Sequence, residues 1–375
     1  MTAQGLASKP VPDESKEEQE ALVITGGCGF IGLNLLYHMA PKARYGRYVI
    51  VDNLSVGTAG DLESVLGELG SWKVEEPKAP VKSGESRRYT LEPPGKEGRD
   101  VCSFELHCHD IRTADGLEEI IAGASAVVHL AAQTGVIPSL ESPVYDMDQN
   151  VAGTLNLLEV CRATGTPRFV FASSSAPLGE QAPPIDETKV PRPLSPYGAS
   201  KLAGEGYCSA YAGSFGLETI ALRFSNVYGP RSTYKGSVVA EFIRNILSNT
   251  PLTIYGSGGQ TRDFIYVEDL CDAIDRALSV DDPRAFGSVF QIATFRETTV
   301  NELAERLKGI AEKEGLGPVE ILHEAERAGE IRRSFSDISR ARDLLGYHPA
   351  YDLDKGLLDT WAWFLARRES LQPED

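Results

Sequence analysis

Apolar residues in this chain gather into short solid runs separated by amphipathic stretches. Ala21 to Ile24 form one run that ends in a cluster of glycines. A helical pattern follows from about Phe30 to Met39, and a second apolar run, Tyr48 to Val51, ends at Asp52. Short solid runs suit strands buried on both faces, and strand, glycine turn, helix, strand is the opening of a doubly wound parallel sheet. Further strands are predicted at Phe104 to His107, Ala126 to Leu130, Arg168 to Ala172 and Thr219 to Phe224. Helical patterns lie between them, notably Asn150 to Thr164 and Gly198 to Phe215. Alternating strands and helices call for an α/β, Rossmann-type doubly wound parallel sheet. Past Ser232 the elements shorten and mix with loops, which suggests a smaller C-terminal substrate-binding lobe.

These patterns divide the chain. Residues 1–20 are polar and charged, have little to bury, and read as a disordered tail without the apolar core of a signal peptide. Residues 21–190 read as a dinucleotide-binding domain, completed by parts of 191–270, with the substrate lobe in 191–375 interleaved with it. Residues 72–101 are rich in Lys, Glu, Pro, Gly and Ser and interrupt the alternation. They read as an insertion forming a surface loop.

Composition narrows the functional classes. The chain has 375 residues, 42% apolar and 24% charged, as a globular protein with a core requires. Its net charge of −17 argues against nonspecific nucleic-acid binding, which needs a basic surface. No stretch of eighteen apolar residues is present to span a membrane. Six dispersed cysteines suit a reducing cytoplasm better than a disulfide framework. An anionic substrate would need a local cationic pocket, so its arginines should be few.

The turn Thr25-Gly26-Gly27-Cys28-Gly29-Phe30-Ile31-Gly32 carries the first candidate chemistry. Glycines at 26, 29 and 32 permit a tight turn, close approach to a pyrophosphate, and close helix–strand packing. The following helix would direct its N-terminal N–H groups at that phosphate. Asp52 closes the next strand about twenty residues on, where a carboxylate can hold both ribose hydroxyls of NAD and repel the 2′-phosphate of NADP.

The second candidate is Tyr197-Gly-Ala-Ser-Lys201, four residues apart on a predicted helix and therefore on one face. An ammonium beside a phenol would lower its pKa, as would a positive nicotinamide, making Tyr197 a general base. Upstream, Ser173-Ser174-Ser175 ends an apolar strand. Carboxyl ends of parallel strands line the ligand crevice, so a serine there can hydrogen-bond the oxygen that loses its proton.

Taken together, TGGCGFIG, VDNLSVG, HLAAQ, NVAGTLNLLE, SPYGASK, RFSNVYGPR, TIYGSGGQTRDFIYVEDL and GEIRRSFSDISRA resemble the extended short-chain dehydrogenase/reductase family, and within it the UDP-glucose 4-epimerase-like enzymes. The resemblance runs from about Ala21 to about Tyr351. It implies NAD as cofactor, a UDP-sugar as substrate, and Ser175, Tyr197 and Lys201 as the catalytic group. It implies that Gly26, Gly29, Phe30, Ile31, Gly32, Asp52 and Asn53 contact NAD. Asp110 and Ile111 would meet the adenine, and Leu130, Ala131 and Ala132 would lie under the nicotinamide ribose. Asn226, Arg262 and Arg327 would hold the substrate diphosphate and Glu330 the uridine ribose. Ser334, seven residues beyond Arg327, stands where relatives restricted to non-acetylated sugars place tyrosine. Relatives also form homodimers through a four-helix interface of helices matching 150–164 and 198–215. Two departures stand out: Ala176-Pro177-Leu178-Gly179 lacks the family's aromatic at this point, and the insertion before residue 105 is longer.

The resemblance also bears on the reaction. Dehydratases of the family carry an Asp-Glu pair after the first serine or threonine of this strand, and decarboxylases usually carry Glu where Ala176 sits. Ser175 and Ala176 supply neither acid, which favours C4 epimerisation through a 4-keto sugar. The alternatives are a UDP-glucuronate 4-epimerase, another NAD-dependent nucleotide-sugar dehydrogenase or reductase, and, remotely, a noncatalytic dinucleotide-sensing regulator. Thr233 stands where glucuronate-specific relatives have arginine, with Lys235 the nearest cation. His129 is expected to be a packed histidine, and Trp361 and Trp363 to be core or dimer contacts. Cys102, His107, Cys108 and His109 lie on a strand whose side chains alternate faces, so no metal is expected.

Overall fold

The computed structural model describes residues 20–74, 81–92, 102–234, 236–326 and 331–371. The first half alternates strands and helices: β1 (Ala21–Thr25), α1 (Phe30–Met39), β2 (Arg47–Asp52), α2 (Ala59–Leu69), β3 (Ser71–Val74), β4 (Ser86–Glu92), β5 (Cys102–Cys108), α3 (Leu117–Ile121) and β6 (Ala124–His129). There follow α4 (Val136–Glu141), α5 (Pro143–Met147), α6 (Gly153–Thr164), β7 (Arg168–Ser174), α7 (Pro196–Phe215) and β8 (Glu218–Phe224). Shorter elements complete the chain: β9 (Asn226–Tyr228), α8 (Val238–Leu247), β10 (Leu252–Tyr255), β11 (Thr261–Arg262), β12 (Phe264–Tyr266), α9 (Val267–Ser279) and β13 (Ser288–Ile292). The last are β14 (Thr298–Thr299), α10 (Val300–Lys313), β15 (Ile321–Glu324), α11 (Ser339–Leu345) and α12 (Leu353–Ala366).

Nine strands form one sheet in the order β13-β8-β7-β6-β1-β2-β5-β4-β3, parallel from β13 to β5. Every residue of β1 is buried, because helices cover both faces of the sheet. Strand order reverses between β1 and β6, and a crevice opens at such a switch point. The main sheet also takes in β13, beyond the 191–270 stretch expected to complete it. A second apolar core, which includes Phe242, Leu303, Leu307, Trp361 and Phe364, holds the C-terminal elements together.

The inserted segment corrects an expectation. Its described part is not a loop: β3 pairs antiparallel with β4, and β4 antiparallel with β5. Along β4, Arg87, Tyr89 and Leu91 are buried while Ser86 and Arg88 are exposed, the period-two pattern of a half-buried strand. Arg87 escapes a hydrophobicity count but is buried because its guanidinium pairs with Glu63 of α2 at 2.9 Å. The expected N-terminal tail falls, for residues 1–19, outside the described residues.

Candidate active site

The carboxyl ends of β1, β2, β6, β7 and β8 and the β9 strand open on one cavity of about 1390 Å³. That exceeds the roughly 300–1,000 Å³ of an ordinary small-molecule site and suits two ligands side by side. At one end lies the glycine turn. Gly26 has φ +69°, and a β-carbon on it would lie 2.6 Å from the Ala131 backbone nitrogen. A β-carbon on Gly32 would lie 2.5 Å from the Gly27 Cα. Both positions therefore demand glycine, and they let β1, α1 and the residues after β6 close on one another. Gly29 caps α1 without a side-chain hydrogen bond, and Phe30, Ile31 and Gly32 line the cavity. A helix N-terminus so placed suits a phosphate.

Asp52 lines the same end. Its two oxygens accept the backbone N–H of Cys28 at 3.0 Å and of Leu54 at 2.9 Å. Burial pushes the carboxyl up and these two amides pull it down. Each carboxylate oxygen keeps further acceptor capacity for a hydroxyl. Asn53 donates to Asp110 at 3.3 Å, and the Arg112 guanidinium holds the Asp110 carboxyl down to about 2. Asp110, Ile111, Leu130, Ala131 and Ala132 all line the cavity. A glycine cradle, an anion-seeking helix end and an acid at the tip of the next strand together fit a dinucleotide with a free ribose.

Tyr197 and Lys201 line the same cavity. Ser195 caps α7 by accepting the Gly198 N–H at 3.1 Å, which starts the helix at Pro196 and puts Tyr197 in its first turn. The Lys201 ammonium is buried, donates to the Ala172 carbonyl at 2.9 Å, and lies 5.0 Å from the centre of the Phe171 ring. Burial lowers its pKa to about 8. The Tyr197 phenol is pushed up by burial and drawn down by the Ser174 hydroxyl. A positive charge placed beside the phenol would draw it down further, against the effect of burial.

The serine hydroxyl that meets the Tyr197 phenol is that of Ser174, one residue before the Ser175 named from the sequence. The apolar pattern ended β7 at Ala172, but the strand runs through Ser174, and the Ser173 hydroxyl is held by Glu205 at 2.6 Å. Ser175 also lines the cavity, but its backbone N–H is bound to the Phe224 carbonyl at 3.2 Å, and it leads into a 3-10 turn over Ala176–Leu178. Strand alternation would have found Ser174 had the end of the strand been known.

Asn226, Arg262 and Ser334 line the cavity as well. Asn226 is fixed by its N–H to the Asp263 carbonyl at 3.0 Å. Arg262 is oriented by bonds to the Thr261 and Ile331 carbonyls at 2.8 and 2.7 Å. Arg327 and Glu330 lie outside the described residues. Sequence reasoning missed Glu68 and Arg367 on this wall. Glu68 accepts from both Arg231 and Arg367, the latter at 2.7 Å, tying α2 to the C-terminal lobe. Trp363 lines the wall beside Arg367, whereas Trp361 is in the core. His129 is packed as expected, bonded to Thr25 at 2.8 Å and Thr154 at 2.9 Å, with burial lowering its pKa to about 3. No cluster of three or more His, Cys, Asp or Glu among the described residues is arranged to hold a metal.

A sheet switched at β1 and β6, a glycine cradle facing an acidic strand tip, and a tyrosine–lysine pair on the same wall define a dinucleotide-dependent enzyme of the Rossmann type. The model of the NAD dependent epimerase/dehydratase family matches residues 22–293, and the chain belongs to that family. It is 32% identical over 349 residues to the UDP-glucose 4-epimerase of Mycolicibacterium smegmatis, covering 91% of this chain and 97% of that protein. Its structure is similar to that of Thermotoga maritima UDP-glucose 4-epimerase with UDP-glucose, with a TM-score of 0.76, 31% identity, and 94% of this chain and 100% of that one covered. It is also similar to UDP-glucuronic acid 4-epimerase from Bacillus cereus in complex with UDP-glucuronic acid and NAD, with a TM-score of 0.77, 27% identity, and 94% and 100% covered.

Proposed function

We propose that this chain interconverts the C4 epimers of a UDP-hexose, UDP-glucose with UDP-galactose, by transient oxidation to a 4-keto sugar. The observation that carries this reading is one cavity lined by the glycine cradle with Asp52, by Ser174, Tyr197 and Lys201, and by Asn226 and Arg262. Gly26, Gly29, Gly32, Asp52 and Asp110 would hold NAD. NAD, when bound, supplies the hydride acceptor and a positive ring beside the phenol. Tyr197 takes the proton of the 4-hydroxyl and returns it, Ser174 holds that oxygen, and Lys201 keeps positive charge beside the base. Asn226, Arg262 and Arg327 hold the diphosphate while the ketone presents its other face, and Glu330 holds the uridine ribose.

Glucuronate is disfavoured as substrate. The Arg231 guanidinium is engaged by Glu68 and, at 3.1 Å, by the Asn34 side-chain oxygen, which leaves Arg231 poorly placed for a sugar carboxylate. Ser334 leaves room beside the sugar, so N-acetylated hexoses are accepted as well. The test is product analysis by NMR with UDP-glucose, UDP-N-acetylglucosamine and UDP-glucuronate in parallel, without added NAD. Accumulation of NADH would make the enzyme a dehydrogenase, and no turnover of any sugar would favour a regulatory role. Ser334→Tyr should suppress the acetylated substrate and spare the plain one; equal loss of both removes the gatekeeper argument.

The assembly read for this chain is a homodimer through helices α6 and α7. Leu140, Val144, Met147 and Phe215 are exposed apolar residues on α4, α5 and α7, consistent with a covered face. Light scattering should give twice the chain mass. A cytoplasmic setting suits the six buried thiols.

A further inference from the structure

Asp263 follows Arg262 in the chain and is fully buried between β11 and β12. Its Oδ1 accepts the Thr294 backbone N–H at 2.9 Å and the Thr294 hydroxyl at 2.6 Å. Its Oδ2 accepts the Phe295 N–H at 3.0 Å and the Ser336 N–H at 3.4 Å. Burial pushes this carboxyl up, and the same donors draw it down. Its backbone carbonyl accepts the Asn226 N–H at 3.0 Å and the Ser225 hydroxyl at 2.8 Å. One buried residue therefore joins three stretches distant in sequence: the start of β9, the turn after β13, and residues 331–336. The turn needs that hold. Phe295 has φ +61°, a left-handed conformation costly for a bulky side chain, which persists only where the surroundings over-determine it.

The third stretch is gripped by Thr261 and Arg262 as well. The Thr261 N–H donates to the Arg332 carbonyl at 2.9 Å, and the Arg262 guanidinium to the Ile331 carbonyl at 2.7 Å. Three consecutive residues thus anchor 331–336 at three points, with Ser334 between the second and third. Asn226, Arg262 and Ser334 line the cavity, whereas Asp263 has no exposed surface. We propose that Asp263 is a positioning residue for the UDP-hexose, the hub that fixes where Asn226, Arg262 and Ser334 stand relative to one another. The inference rests on the reading of these three as the substrate end of the site. The carboxyl acts only through the segments it holds, so its loss is felt in binding and not in the chemistry at Tyr197.

The experiment is steady-state kinetics with UDP-glucose and calorimetric titration with UDP, on Asp263→Asn and on the native enzyme, each purified with its cofactor. The amide keeps the shape, but one of its two ends can no longer accept, so the bonds to Thr294 or those to Phe295 and Ser336 are lost. A displacement of about 1 Å at a binding group can cost about a hundredfold. The KM for UDP-glucose and the Kd for UDP should both rise about ten- to a hundredfold, with kcat within about threefold. Bound NAD should match the native amount, because its cradle lies on other segments. If Asp263→Asn does not fold, Thr294→Val removes one donor, leaves the backbone bonds, and should raise both constants about threefold. A KM and Kd that stay at the native values, with or without a fall in kcat or in bound NAD, assign Asp263 to the fold alone and overturn the proposal. Native enzyme that neither turns over UDP-glucose nor binds UDP removes the reading of the substrate end, and the inference with it. Native binding with an unmoved variant removes only the inference about Asp263.

Discussion

Glu205→Gln tests the support beneath the serines that end β7. Glu205, one helical turn beyond Lys201, and Arg223 on β8 are each 4% exposed. The carboxylate accepts from Arg223 Nε at 2.8 Å, Arg223 Nη2 at 2.7 Å and the Ser173 hydroxyl at 2.6 Å. Arg223 Nη1 is already buried without a partner, so this guanidinium has no slack. The amide keeps the shape but leaves an uncompensated buried cation, which costs about 3–5 kcal/mol. At about 2 °C per kcal/mol for a large domain, the melting temperature should fall by roughly 6–10 °C. Ser173 immediately precedes Ser174, so kcat should fall as well while KM is spared. Thermal unfolding by circular dichroism and steady-state kinetics are the assays. The paired change Glu205→Leu with Arg223→Met, which removes both charges, should recover most of the lost stability. A melting temperature within about 2 °C of the native value would refute the argument that the ion pair is desolvated and unreplaced.

Other expectations follow from the same geometry. Tyr197→Phe should retain NAD yet lose about 10²–10⁴ in kcat, as removal of a general base does, and a loss below tenfold contradicts that role. Of the neighbouring serines, Ser174→Ala should be the more damaging and Ser175→Ala the milder; the reverse order in kcat would restore the sequence-based choice. Asp52→Ala should weaken retention of NAD and relax discrimination against NADP, so native protein purified with NADP would contradict the reading of Asp52. Glu105 of β5 is held down to about 2 by its hydrogen bond to His107, against burial, and by Arg88 of β4 at 2.6 Å. A carboxyl lowered in the folded state contributes stability that is full above its unfolded value near 4.5 and fades as pH falls toward 2. Glu105→Gln should therefore flatten the acid limb of the stability curve in that window; an unchanged slope in urea titrations at pH 2.5 and 6 rules this out.

How much of this was legible in sequence depended on which physical signal carried it. The first strand and helix could be read almost to the residue, because burial on both faces makes a solid apolar run and α1 keeps its helical period. The glycine turn was legible because Gly26 and Gly32 have no room for a side chain. β4 was not, since Arg87 is buried by an ion pair with Glu63 and so hides the strand's alternation. The serine that meets Tyr197 lies one residue before the one named, because polar residues at a strand end carry no hydrophobic signal to mark where the strand stops. Glu68 and Arg367 meet across 299 positions of chain, a pairing no local pattern encodes.

The place of β1 in the sheet has a consequence for synthesis. Strand β1 leaves the ribosome ahead of both its neighbours, β2 on one side and β6 on the other, with Val23 opposite Val127. About a hundred residues must be translated before that second neighbour exists, which at 5–20 residues per second is roughly 5–20 s. During that interval a strand whose every residue ends up buried has one open edge, and the extra length between β2 and β5 prolongs the wait. A nascent chain built in this order is open to wrong pairing at this strand until β6 has been made.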